Sequence, residues 1–131
     1  MHARGPFDVR MTPQSPTADK VDATLGRMAL DKTYHGDLEA TGVGEMLTAM
    51  SPVKGSAVYV AVERVTGTLH GRSGAFSIHH RGIMTRGTPE LAISVVPDSG
   101  EGELAGIAGT MRIVVEDGKH LYEFDYELSG G

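Results

Sequence analysis

Glu63 and His80 are the two side chains whose types and placing best suit chemistry. Each lies in a strand-like stretch, and each falls in register with the apolar residues of one face of its stretch. A carboxylate beside an imidazole in an apolar interior can act as a general acid/base pair. The carboxylate favours the charged ring, while burial opposes it. The plain alternative is a satisfied internal pair, and it outweighs the catalytic reading because structural ion pairs also perturb ionisation. Tyr59, Tyr122 and Tyr126 stand in similar stretches and can offer hydroxyls to a ligand. Plain core packing is the commoner role for aromatic residues on strands.

Other candidates carry less. His79 and His80 are adjacent, so a strand sends them to opposite faces and they do not share a metal. No His-x-His or His-x-x-x-His spacing occurs and there is no cysteine, so neither a metal site nor a cofactor is expected. The run Gly100 to Gly106 has the wrong spacing for a phosphate-binding loop, and Glu101 and Glu103 would repel a phosphate. It reads as a structural turn with a bulge. Ser73 sits at a predicted hairpin tip rather than between strand and helix, which argues against a nucleophile. Lys32 shares its parity with Leu30 and Tyr34, yet it reads as a surface lysine.

Strands must position Glu63 and His80. Glycine is 18 of 131 residues and falls at intervals, a pattern of many short strands and tight turns. Helical patterns are scarce; the best, residues 20–30 and 44–50, are short or interrupted by glycine. Residues 12–24 carry Pro13, Pro16 and Asp19 and read as an exposed connection with room for one helical turn. Strands are predicted over 5–12, 25–35, 38–50, 57–69, 75–85, 89–97, 109–116 and 119–128. Asp117-Gly118 is the strongest hairpin signal.

Turns set register, and register decides which side chains share a face. A turn centred on Arg72-Ser73 pairs Leu69 with Phe76, Val65 with His80 and Glu63 with Gly82. Glu63 and His80 are then diagonal neighbours, about 7–8 Å apart at the backbone. The same register sets Arg64 against Arg81, an unfavourable contact. Turns at Arg86-Gly87 and Asp117-Gly118 pair His80 with Ile93 and Ile113 with Tyr122. One apolar face then gathers Tyr59, Phe76, Ile78, Ile93, Tyr122, Phe124 and Tyr126, the expected lining of a ligand chamber. Val58, Val60 and Val62 make the strand 57–69 apolar on its other side as well. Such a strand calls for cover on both sides, from a second subunit or from residues 25–30, so a homodimer is expected.

The chain is one domain's length, residues 1–131, and long enough for a core without staples. Its formal charge is −5 with no basic run, which disfavours nucleic acid and anionic membrane surfaces as partners. No apolar stretch approaches the roughly 20 residues that span a bilayer. The absence of cysteine and of an apolar signal core near the start fits a cytoplasmic home. Eight strands with short connections suggest a closed antiparallel β-barrel, which removes exposed edges and encloses packed side chains or one small ligand.

Several runs together resemble a bacterial family of uncharacterised small proteins, domain of unknown function 3224. They are Tyr34-His35-Gly36-Asp37-Leu38-Glu39, Glu63-Arg64-Val65 with Gly67-Thr68-Leu69, Gly71 to Phe76, His80 with Gly82, Val96-Pro97 with Ser99-Gly100, and Gly102 to Gly106 with Gly109. The resemblance covers residues 5–127 and implies an eight-stranded barrel similar to allene oxide cyclase and lipocalin-like folds. It implies a cavity for an apolar substrate, but no activity and no catalytic residues. The leading expectation is a module that binds a small apolar molecule. The alternatives are an isomerase or cyclase using Glu63 and His80, and a structural oligomer without a ligand.

Overall fold

The structure, a computed structural model, describes residues 1–15 and 21–129. Its strands are β1 (His2–Gln14), β2 (Leu25–Tyr34), β3 (Leu38–Met50), β4 (Ala57–Leu69), β5 (Arg72–Thr85), β6 (Thr88–Val95), β7 (Glu101–Gly102), β8 (Ile107–Glu116) and β9 (Lys119–Leu128). Eight of them close an antiparallel barrel in the order β4-β3-β2-β1-β9-β8-β6-β5, with β5 returning to β4. The short β7 adds to the outer stretch of β5 at Gly74 and Ala75. Closure pairs the backbone groups that an open sheet would leave at its edges. Among the described residues no helix is long and apolar enough to cross a membrane.

The helical patterns at 20–30 and 44–50 do not become helices: Leu25–Leu30 and Gly44–Met50 lie in β2 and β3. Both segments pair with neighbours on each side, so tertiary hydrogen bonding overrides a weak local preference that Gly26 and Gly44 already lower. The connection expected over 12–24 begins later, because Thr12, Pro13 and Gln14 continue β1 against β2. The Asp22 carboxylate then accepts hydrogen bonds from the Thr24 amide and hydroxyl at 2.8 and 2.7 Å, shaping the turn into β2. Of the stretch 12–24, read as having room for a helical turn, residues 21–24 form a turn without helix, and residues 16–20 lie outside the described residues.

Three two-residue hairpins set the register. His70-Gly71, Arg86-Gly87 and Asp117-Gly118 all have positive φ at both positions, 48° and 78°, 49° and 91°, 51° and 77°. That is the turn whose twist matches the twist of paired strands. The second and third hairpins have the predicted pairs, His80 with Ile93 and Ile113 with Tyr122. The first turns at His70-Gly71, not at Arg72-Ser73. Its glycine takes the left-handed position that neither Arg72 nor Ser73 would adopt as cheaply. Val65 therefore faces Phe76, and Ala61 faces His80. Partners shift by four residues, an even number, so every inward and outward assignment survives. The predicted Arg64–Arg81 clash does not exist. Arg64 faces Ser77, donates to the Ser77 hydroxyl and the Ser99 carbonyl at 3.1 and 2.9 Å, and pairs with Glu101 at 3.0 Å.

The interior divides along the barrel axis. Toward the turns at 36–37 and 70–71 lies a dense core in which Phe76, Phe124, Tyr122, Leu38 and Leu69 are sealed from solvent. Phe124 stacks on both Phe76 and Tyr126, with ring centroids 5.6 and 5.3 Å apart. The Tyr122 hydroxyl donates to the His35 carbonyl at 2.6 Å and accepts from the Leu38 amide at 2.8 Å, tying β9 to the β2–β3 turn. Burial lifts the Tyr122 phenol to about 12, which keeps it a donor. Toward the other end, Leu30, Met46 and Ala61 form a separate small cluster with Met28 and Tyr59 against it.

Candidate functional site

Among the described residues, Lys32, Glu63 and His80 are the buried basic and acidic side chains, and they lie between those two apolar clusters. The strand pattern explains the level. On β2 the inward sequence is Leu30, Lys32, Tyr34; on β4 it is Ala61, Glu63, Val65; on β5 it is Gly82, His80, Ile78. Each strand contributes one polar residue at the boundary between the open and the packed halves. The expectation of a surface Lys32 is thus overturned. Its ammonium is 2.9 Å from Glu63 Oε1, 5.5 Å from the Phe7 ring centre and 5.9 Å from that of Tyr34. Pairing with a buried carboxylate and two aromatic faces offsets the loss of water.

Glu63 is the hub. Oε1 takes Lys32 and His80 Nε2, the latter at 3.1 Å, and Oε2 accepts the Tyr34 hydroxyl. Burial alone would raise its carboxyl, but hydrogen bonds from His80, Tyr34 and Lys32 and the lysine charge together hold it below its ordinary value. Tyr34 is pushed far up, first by burial and then by the adjacent carboxylate, so it serves as a fixed donor.

One strand separates Lys32 from Glu63 in the wall, since β3 runs between β2 and β4. Their side chains meet because β3 carries glycine where it would otherwise block them. A Cβ on Gly42 would stand 2.0 Å from Glu63 Oε2 and 3.1 Å from the Tyr34 ring. Alternating glycines at inward positions of a predicted strand, opposite a lone inward lysine, are the signal that the sequence reading passed over.

Above this cluster the barrel is open. A cavity of about 620 Å³ is lined chiefly by Met46, Met50, Val53, Tyr59, Met84 and Leu91. Gly82 also lines it and makes room for Tyr59, whose ring would lie 2.0 Å from a Cβ there. The structure brings Glu63 and His80 together. Of the aromatic and aliphatic residues expected to line a chamber, Tyr59 alone borders this cavity. Phe76, Ile78, Ile93, Tyr122, Phe124 and Tyr126 are packed into the closed half at 2% exposure or less. Among the described residues no group of three His, Asp or Glu side chains gathers as metal ligands.

The outer wall holds the remaining unusual surface. Val43, Leu47, Val58, Val60 and Val62 point away from the barrel and are between 40% and 61% exposed. Residues 25–30, expected as one possible cover for this face, are part of the barrel wall in β2 instead. A hollow of about 450 Å³ borders the same face, between Val21, Leu25, Leu47, Val58 and Val60.

Comparison with known proteins gives a family and a fold. The sequence profile of DUF3224, described as a protein of unknown function, matches residues 3–126. The chain is similar to the crystal structure of a protein with unknown function from the DUF3224 family of Shewanella oneidensis MR-1. The two are 52% identical and superpose with a TM-score of 0.93 over 100% of this chain and 98% of the other. Among curated proteins there is no match.

Proposed function

The chain belongs to the DUF3224 family of proteins of unknown function, and from that premise we propose that it binds one small, mostly apolar molecule in the open half of its barrel. The observation that carries this reading is the cavity of about 620 Å³ walled by Met46, Met50, Tyr59, Met84 and Leu91. Its size falls in the usual range for small-molecule sites, and its walls are of the usual character. Three methionines give walls that adapt to the shape of a guest. N-phenyl-1-naphthylamine, an uncharged apolar fluorophore, should brighten on binding and be displaced by lipophilic competitors. Met84→Glu or Leu91→Glu, at the rim, should abolish the signal with the fold intact. A folded protein that leaves the dye dark would overturn the reading.

A cyclase or isomerase working through Glu63 and His80 draws less support from this geometry. Glu63 commits both oxygens to three donors, and a carboxyl held below its ordinary value is a weak base. An assembly role is supported by a different observation, the uncovered aliphatic face of β3 and β4. Leu47 stands directly opposite Val60, and Ala49 opposite Val58, so the apolar surface is continuous across both strands. No described residue covers it, and a second copy of the chain placing the same face against it would form a two-fold dimer. Light scattering at micromolar concentration should give a dimer mass, and Val60→Glu should give a monomer. A wild-type monomer would remove this reading without touching the first.

A further inference from the structure

We propose that His80 Nδ1 is the deep polar anchor of the chamber and accepts a hydrogen bond from a hydroxyl on the bound molecule. The inference rests on the chamber reading and names the ligand class as an apolar body carrying a neutral O–H donor, a phenol or an alcohol.

Every nitrogen and oxygen at the side-chain ends of the cluster around Glu63 has at least one polar partner, except one. Tyr34, Lys32 and both carboxylate oxygens have partners. His80 is 5% exposed and spends Nε2 on Glu63. Its Nδ1 makes no hydrogen bond with any described residue, and no fully buried side-chain nitrogen or oxygen in the described chain lacks a partner. Nδ1 therefore reaches space that a small polar atom can enter. The chamber wall ends at Gly82 and Tyr59, one inward step along β5 from His80, so His80 lies just beyond its floor and the ligand's hydroxyl must reach past the Tyr59 ring to meet Nδ1. Its partner on β4 is Ala61, a small side chain.

The tautomer follows from Glu63. A carboxylate oxygen only accepts, so Nε2 must carry the proton that lies between them. In the neutral ring Nδ1 then holds the lone pair and can only accept. The glutamate sets the direction of the bond that the histidine offers, as an outer carboxylate does for a metal-bound imidazole. A ligand with an O–H satisfies this acceptor and leaves its apolar body among the methionines. A hydrocarbon of the same shape leaves the acceptor bare, and a ligand that can only accept meets a lone pair.

The test compares 4-propylphenol with propylbenzene near about pH 8, above the ordinary imidazole value and below that of a phenol. Calorimetric titration should show the phenol binding about tenfold more tightly, the equivalent of one net hydrogen bond. His80→Phe should reduce that ratio to near one while propylbenzene still binds. Imidazole nitrogen NMR on the wild-type protein gives a second readout that does not depend on the variant folding. It should show protonated Nε2, and an Nδ1 resonance that moves with the phenol and stays still with propylbenzene. If propylbenzene binds but the phenol gains nothing and Nδ1 does not respond, this inference falls and the chamber stands. If neither compound binds the folded protein, the chamber reading falls first and takes the anchor with it.

Discussion

The two halves of the barrel use the same strands but solve different packing problems. The closed half holds Phe76, Phe124, Tyr122 and Leu69, rigid or branched side chains sealed from solvent. The open half holds Met46, Met50, Met84 and Tyr59 around a cavity, with Met50 60% and Met84 40% exposed. Rigid groups that interdigitate fill space and define one native arrangement. Flexible thioethers around a void do neither, and contribute less to stability than a filled core. The contrast teaches that packed and open volume are segregated by level along the strands, with the charged cluster of Lys32, Glu63 and His80 marking the boundary.

The sharpest break of this comparison is a truncation in the packed half. Phe124→Ala removes a ring stacked on two others and should cost about 3–5 kcal/mol in urea unfolding. A loss below about 1 kcal/mol would mean that the closed half is not the source of stability.

At the boundary, Glu63→Gln leaves the buried Lys32 ammonium without its counter-charge and should cost about 3 kcal/mol. Adding Lys32→Met should recover much of that loss, because the residues act as one unit. Acid titration checks the same group. The Glu63 carboxyl lies below its ordinary 4.5 in the folded chain, so its stabilising contribution is complete above that value and fades as pH falls through the folded one. The urea midpoint of the wild type should fall more steeply between pH 6 and pH 3 than that of Glu63→Gln. Parallel curves would show that the hub contributes nothing specific.

Gly42→Ala tests whether β3 opens the way for the cluster. The new methyl group would collide with Glu63 Oε2 and should cost about 1–3 kcal/mol, while lifting the Glu63 carboxyl as the cluster loosens. An unchanged melting curve would place the carboxylate elsewhere. The smallest effect belongs to the mouth, where Met84→Ala should cost under about 1 kcal/mol and yet weaken binding of an apolar dye. A large destabilisation there would erase the distinction between the two halves.

Much of this was legible from local chemistry. Arg86-Gly87 and Asp117-Gly118 carry glycine where a left-handed residue is needed, so their pairings follow from the turn alone. At residues 70–74 two glycines competed for the same role. Gly71 took it together with His70, a residue type enriched at positive φ but a weaker cue than glycine. The faces still came out right, since side-chain alternation has a period of two and the slip was even.

From sequence alone came an all-β chain, the parity of each strand, and Glu63 and His80 on the inner face, because turn chemistry and alternation act over a few residues. Only the closed barrel decided that Lys32 is buried and that the lumen is full at one end and open at the other. Those outcomes depend on which side chains meet across β3, whether glycine clears the path between them, and how much space the strand ends enclose. These are sums over residues far apart in the chain, and no window of sequence contains them.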